Sequence, residues 1–232
     1  MAALPLVLVP GLNCTELLFG PQVARFAPER PVTVADHRQG ETIEAIARQL
    51  LKEAPPRFAL AGLSMGGYVA LEVMRMAPGR VERLALIDTR ASPDSPEDRE
   101  IRNVTIRLAE TGRFDEIHAA LWPRLVHLSR LRDEVLQSTV MAMAEATGPR
   151  VFIRQQKAVM SRRDFRPGLA AIACPTLVLV GDQDAVTPPF MAEDMAAAIP
   201  GARLATVPDC GHLSTLERPE VVNAALAAWL AA

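Results

Sequence analysis

The sequence predicts an α/β fold: a mostly parallel sheet of about six strands with helices on both faces. Short runs rich in Val, Ile and Leu alternate with helical patterns along the 232 residues, and this alternation is the mark of a parallel sheet. Several of the runs are apolar at every position, as in Leu177-Val178-Leu179-Val180. A strand of that kind is buried on both sides, so helices must cover each face.

Strands are expected at residues 4–9, 31–35, 58–63, 83–88, 176–181 and 203–207. Residues 41–53 carry Ile43, Ile46, Ala47 and Leu50 at the spacing of one apolar helical face, and Ala54-Pro55-Pro56 ends the pattern. Further helices are expected at 66–76, at 190–199 before Pro200-Gly201, and at 219–230, where Pro219 sits in a first turn that does not need its N–H. The stretch from Thr89 to about Phe165 shows helical patterns and no strand, so it reads as an insertion over the sheet. Ser95-Pro96-Glu97-Asp98 looks like a helix start there, and Thr147-Gly148-Pro149 like a break between two helices. The division is then a core of residues 1–88 and 166–232 with a helical cap at 89–165.

Composition narrows the function classes. Half of the residues are hydrophobic and 22% are charged, which excludes disordered, collagen-like and coiled-coil chains. A formal net charge of -2 supplies no basic field for a phosphate backbone or an anionic membrane, so nucleic acid is not an expected partner. Apolar runs fall short of the ~20 residues needed to span a bilayer. Residues 4–12 lack a basic leader and are interrupted by Pro5 and Pro10, so they are not read as an export signal. Cys14, Cys174 and Cys210 form no C-x-x-C pair, which points away from disulfide scaffolds and zinc sites and toward a reducing, cytoplasmic setting. No cofactor or metal is expected.

The chemistry is concentrated where Gly62-Leu63-Ser64-Met65-Gly66-Gly67 follows the third strand and opens a helix. In a sharp strand-to-helix turn the serine projects above the sheet, while its neighbours two positions away must be nearly free of side chain, hence Gly62 and Gly66. Gly67 lets the new helix lie close to the adjacent strand. A serine hydroxyl is a weak nucleophile at neutral pH and needs a base, which in turn needs an orienting acid.

Of His37, His118, His127 and His212, only His212 lies in a loop between the last strand and the final helix, at the same sheet edge as Ser64. His118 and His127 fall in the helical insertion and are read as packing or surface residues, and His37 as a solvated turn. The acid should follow a strand between nucleophile and base. Asp184 in Gly181-Asp182-Gln183-Asp184 is the first choice, with Asp182 as a turn-forming competitor and Asp88 as a more distant one.

These pieces together resemble the α/β-hydrolase fold superfamily, and within it the carboxylesterase-like group with a helical cap. The resemblance rests on Val9-Pro10-Gly11-Leu12, residues 62–67, Gly181-Asp182-Gln183-Asp184 with Thr187-Pro188, and Gly211-His212 followed by Glu217-Arg218-Pro219. It implies a triad of Ser64, Asp184 and His212 in the family's chain order, and an oxyanion hole made by the backbone N–H groups of Leu12 and Met65. The chain departs from the family in two places. Pro10 stands where most relatives have a bracing histidine, with Asn13 as its candidate replacement, and the sequence opens directly with what resembles the family's third strand.

A serine rather than an aspartate at the elbow points to acyl transfer. The expected reaction is hydrolysis of a small or medium carboxylic ester through an acyl-enzyme. Lactone or carbon-carbon bond hydrolysis is the alternative enzyme reading, and a non-catalytic ligand receptor on the same fold is the alternative outside enzymes. The substrate would lie under the insertion, where Leu121, Trp122, Leu125, Val140, Met141 and Met143 are candidate lining residues, although apolar residues at helical spacing more often belong to a core. Arg162-Arg163 could bind an anionic substrate group, but a pair of arginines near an element end is more often solvated, and it is read so here. The oligomeric state, a homodimer included, is left open.

Overall fold

Six strands are formed in the computed structural model, which describes residues 3–232: β1 (Leu6–Val9), β2 (Val32–Val34), β3 (Phe58–Leu63), β4 (Val81–Ile87), β5 (Thr176–Gly181) and β6 (Arg203–Val207). They make one sheet in the order β2-β1-β3-β4-β5-β6, with every neighbouring pair parallel. The three runs that read as apolar throughout, β1, β3 and β5, are buried at every position. β2 and β6 form the edges, and their residues are largely half-buried or exposed.

β4 starts two residues before the position expected from sequence, because Glu82 interrupts its apolar pattern, and it ends one residue earlier, at Ile87. Its first pairing, Val81 with Phe58, is followed by a register shift, so the strand begins irregularly beside the third one. β1 starts two residues later than expected, and β2 is shorter by one residue at each end.

Alternation along the strands sends successive side chains to opposite faces. Val7, Val9, Leu60, Leu84, Leu86, Val178 and Val180 lie on one side with α2 (Ile43–Glu53), α3 (Met65–Met76) and α7 (Pro189–Ala198). Leu6, Leu8, Ala61, Leu63, Ile87, Leu177 and Leu179 lie on the other with α1 (Gly20–Phe26) and α9 (Pro219–Ala231). Each fully buried aliphatic side chain contributes about 1.5–3 kcal/mol relative to exposure, so the two layers together dominate the stabilisation.

The sequence pattern missed α1. Leu17-Leu18-Phe19 belongs to a 3-10 turn, and Gly20-Pro21 looks like a breaker, yet Pro21 sits in the first turn of α1, where its missing N–H is not needed. α2 is fixed at its start by Thr42, whose side-chain oxygen accepts from the Ala45 N–H at 3.0 Å.

Between β4 and β5 the insertion folds as α4 (Pro96–Glu110), α5 (Phe114–Leu125) and α6 (Glu134–Met160). The start of α4 is a reciprocal cap: the Asp98 N–H donates to Ser95 Oγ at 3.1 Å, and the Ser95 N–H donates to Asp98 Oδ2 at 3.2 Å. α6 is interrupted at Gly148, whose φ of 70° and ψ of 167° are not helical, so the expected break is present. A short helix α8 (Ser214–Glu217) follows the last strand before α9. In a parallel sheet the loops leaving the C-terminal strand ends share one edge. The segments around residues 10–13, 64, 88–91, 182–188 and 208–213 therefore meet there.

Candidate active site

Ser64 joins β3 to α3 with φ of 54° and ψ of -114°, a conformation that costs on the order of 1–3 kcal/mol for a non-glycine residue. Its backbone is pinned from three sides. The Ser64 N–H donates to the Ile87 carbonyl at 3.0 Å, and the Ser64 carbonyl accepts from the Gly67 N–H at 2.9 Å and from Thr89 Oγ1 at 2.8 Å. A Cβ at Gly62 would overlap the backbone of Gly66, one at Gly66 would overlap the Val9 carbonyl, and one at Gly67 would overlap the Thr89 side chain. The three glycines are thus required by close approach.

The structure brings His212 and Asp184 together, with His212 Nδ1 donating to Asp184 Oδ2 at 2.7 Å. Both residues are buried. The remaining lone pairs of Asp184 accept from the Val186 N–H (2.7 Å), the Thr187 N–H (2.9 Å) and Thr187 Oγ1 (2.7 Å), which fixes the carboxylate in place. Burial alone would push the His212 imidazole toward its neutral form, but the charge and hydrogen bond of Asp184, with smaller contributions from Asp88 and Glu217, raise its pKa above the ordinary value. Burial likewise opposes ionisation of Asp184, and the charge and hydrogen bond of His212 hold its pKa below the usual carboxylate value.

The competing acids have other partners. Asp88, at the end of β4, accepts from the Gly181 N–H at 3.0 Å and from the Ser214 N–H and hydroxyl at 3.3 and 2.5 Å. Complete burial, and then the negative charge of Asp184, push its pKa up to about 8. Asp182 accepts from the Cys210 N–H at 3.1 Å, the turn role read from the sequence.

Glu217 was not singled out as more than part of a motif, yet it organises the histidine loop. Its buried carboxylate accepts from the Gly211, Leu213 and His127 N–H groups at 3.0, 3.2 and 2.8 Å. The His212 N–H donates to the Leu125 carbonyl at the end of α5 at 3.0 Å. The insertion is therefore bonded directly to the loop that carries the imidazole.

His37 corrects the sequence reading. It is buried rather than solvated, and its Nε2 donates to the Gly11 carbonyl at 2.9 Å. A carbonyl only accepts, so Nε2 carries a proton, and burial holds the pKa of the ring below the ordinary value. No local pattern marks this residue, because the contact joins the loop after β2 to the loop after β1. Asn13 does not supply that brace. Its N–H donates to Gln155 Oε1 of α6 at 2.8 Å, and its side chain lies 3.3 Å from His118 Nδ1.

Ser64 and His212 line one cavity of about 210 Å³, which also touches Leu12, Met65 and His118. No hydrogen bond joins the Ser64 hydroxyl to His212 here, as is common in such pairs before a substrate tightens them. Met65 is the first residue of α3, so its N–H has no partner within the helix. Of the candidate lining residues, Leu121, Leu125 and Val140 line the cavity. Trp122 and Met143 instead belong to the core, and Met141 is half-buried away from the cavity. His118 was read as packing and proves to face the cavity, whereas His127 packs as expected. Arg162 is also buried rather than solvated and pairs with Asp94 at 2.7 Å.

Comparison with known proteins identifies the family and the fold. The sequence profile of the alpha/beta hydrolase family matches residues 6–225. A thermophilic esterase from Thermogutta terrifontis, solved with malate bound, superposes with a TM-score of 0.91 at 32% identity over 99% of this chain and 90% of its own. The enol-lactonase from Burkholderia xenovorans LB400 also gives 0.91, at 26% identity over 100% of this chain and 93% of its own. The pimeloyl-[acyl-carrier protein] methyl ester esterase of Aromatoleum aromaticum is 32% identical over 193 residues, which is 78% of this chain and 77% of that protein.

Proposed function

The chain belongs to the alpha/beta hydrolase family, and from that premise we propose that it is a serine hydrolase of small or medium carboxylic esters. The reading rests on one observation above all. An imidazole oriented by a buried carboxylate at 2.7 Å lines the same cavity as a serine held at positive φ in a strand-to-helix turn.

In the proposed reaction His212 Nε2 takes the Ser64 proton as Oγ attacks the ester carbonyl. Asp184 keeps Nδ1 protonated and stabilises the imidazolium that forms. The oxygen that becomes negative is received by the N–H groups of Leu12 and Met65, a contribution worth several kcal/mol in a site shielded from water. Collapse of the tetrahedral intermediate returns the proton from His212 to the departing alcohol and leaves an acyl group on Ser64. Water, deprotonated by His212, then releases the acid and restores the hydroxyl. The His37 contact on Gly11 holds the loop that presents the Leu12 N–H, so it is a positioning contact. Residues 89–165 serve as a cap over the acyl-binding cavity. The three free cysteines of the chain, Cys14, Cys174 and Cys210, suit a reducing, cytoplasmic location.

A second reading, lactone hydrolysis, is favoured by the likeness to the enol-lactonase. Turnover of p-nitrophenyl butyrate, an enol-lactone and a vinylogous diketone by the same preparation separates the readings. The ester is expected to be hydrolysed at least tenfold faster in kcat/KM than either other substrate. A reversed order would replace the ester assignment, and no turnover of any would favour a ligand receptor.

A further inference from the structure

The cavity has a charged end that the ester chemistry does not use. Arg90, Arg102 and Arg124 line it against Asp98 alone, in a chain whose overall formal charge is -2. Behind the wall, buried Asp94 is shared by Arg90 (2.9 Å), Arg102 (2.8 Å) and Arg162 (2.7 Å). Arg90 reaches Asp98 as well, at 2.7 Å. Where these groups meet, three guanidiniums face two carboxylates, leaving one positive charge uncompensated.

The hydrogen bonds show which guanidinium carries it. All three nitrogens of Arg102 are engaged, Nε and Nη2 with Asp94 and Nη1 with Gln156. Arg162 donates from Nε to the Ser92 carbonyl and from Nη1 to the Val159 carbonyl, and its Nη2 pairs with Asp94 by charge without a hydrogen bond; it does not line the cavity. Arg90 uses only Nη2: its Nε is buried with no acceptor among the described residues, and Nη1 makes no hydrogen bond to them. Its side chain is nine-tenths buried, so water compensates the unpaired Nε poorly, while Nη1 is left without a protein partner. Tyr68, whose ring stacks on Arg162 at 4.4 Å, lines the cavity beside it.

Resting on the proposed ester hydrolysis, we infer that Arg90 and its network form an anion subsite and that the substrate is an ester bearing a second, free carboxylate. The carboxylate accepts from Arg90 Nη1 while the ester carbonyl lies over Ser64. A planar guanidinium suits this ligand better than an ammonium, because it presents several fixed donors and sheds water more readily. The cleaved bond is the ester alone; the free carboxylate is unchanged in the product, a dicarboxylic acid.

The test compares monomethyl with dimethyl esters of succinate, glutarate and adipate at pH 7.5, where only the former are anionic. The wild-type protein is expected to favour at least one monomethyl ester at least tenfold in kcat/KM, chiefly through KM. Arg90→Gln is expected to raise that KM at least tenfold and to change the KM of the dimethyl ester less than threefold. Equal kcat/KM for both forms in every pair, or an equal effect of Arg90→Gln on both, would overturn the subsite and leave ester hydrolysis standing. If Arg90→Gln does not fold, competitive inhibition of the wild type by the free dicarboxylates decides, and its absence overturns the subsite. If neither ester form is cleaved, the hydrolase reading fails. Thermal stabilisation of the wild type by the same dicarboxylates then decides the subsite separately: its presence supports the subsite and its absence overturns it.

Discussion

Replacing His212 by alanine is expected to lower kcat on p-nitrophenyl butyrate by roughly 10⁴- to 10⁶-fold while leaving the far-UV circular dichroism unchanged. The imidazole is the one base that shares the Ser64 cavity and has a carboxylate partner, so no neighbour can assume its role. Its backbone N–H, which bonds Leu125, survives the substitution, as do the Glu217 contacts on either side. Asp184→Asn should lose less, on the order of 10⁴-fold, because an amide favours the wrong imidazole tautomer but preserves the geometry. The pH profile carries the sign of the electrostatics. His212 acts as a base only when neutral, and its pKa lies above the ordinary 6.5. In the wild type, kcat/KM should therefore rise with pH through a midpoint above 6.5. In Asp184→Asn the carboxylate is gone and burial prevails, so the midpoint should fall. An unchanged midpoint would detach Asp184 from the titrating group.

Gly66→Ala should destabilise the fold by about 4 kcal/mol or more, at the upper end for a single substitution. The added methyl would meet the carbonyl carbon and oxygen of Val9 and the Pro10 carbonyl, which are backbone atoms of the central sheet and cannot turn aside as a flexible side chain does. Since about 1 kcal/mol shifts the midpoint by 2–4 °C in a chain of this size, thermal unfolding should move down by about 8–16 °C. Gly79→Ala is the control, because nothing lies within 4 Å of a Cβ there. A shift for Gly66→Ala no larger than for Gly79→Ala would contradict the packing described for the turn. The same displacement would move Pro10 and Gly11, so any folded Gly66→Ala protein should also be impaired in kcat.

The sequence made the parallel sheet legible because fully buried strands leave unbroken apolar runs, and β3 and β5 fall where those runs do. The start of β4 was hidden by Glu82, a half-buried charge at the strand margin, and α1 by a Gly-Pro pair that suits a helix start as well as a turn. Ser64, Asp184 and His212 were readable because each follows a recognisable strand, which places all three at one sheet edge. His37 and the Arg90 network were not. Their meaning lies in contacts between distant segments: His37 with Gly11, and Arg90, Arg102 and Arg162 around Asp94. Arg162 looked solvated for the same reason, since nothing near it in the chain announces Asp94.

Labelling with a fluorophosphonate probe, followed by peptide mass mapping, reads the central claim most directly. An activated Ser64 hydroxyl attacks phosphorus and displaces fluoride, leaving one phosphonyl group per chain on residue 64. That adduct should be absent in Ser64→Ala and form far more slowly in His212→Ala. Failure of the wild type to react, or an adduct on another residue that persists in Ser64→Ala, would contradict the assignment of Ser64 as the nucleophile.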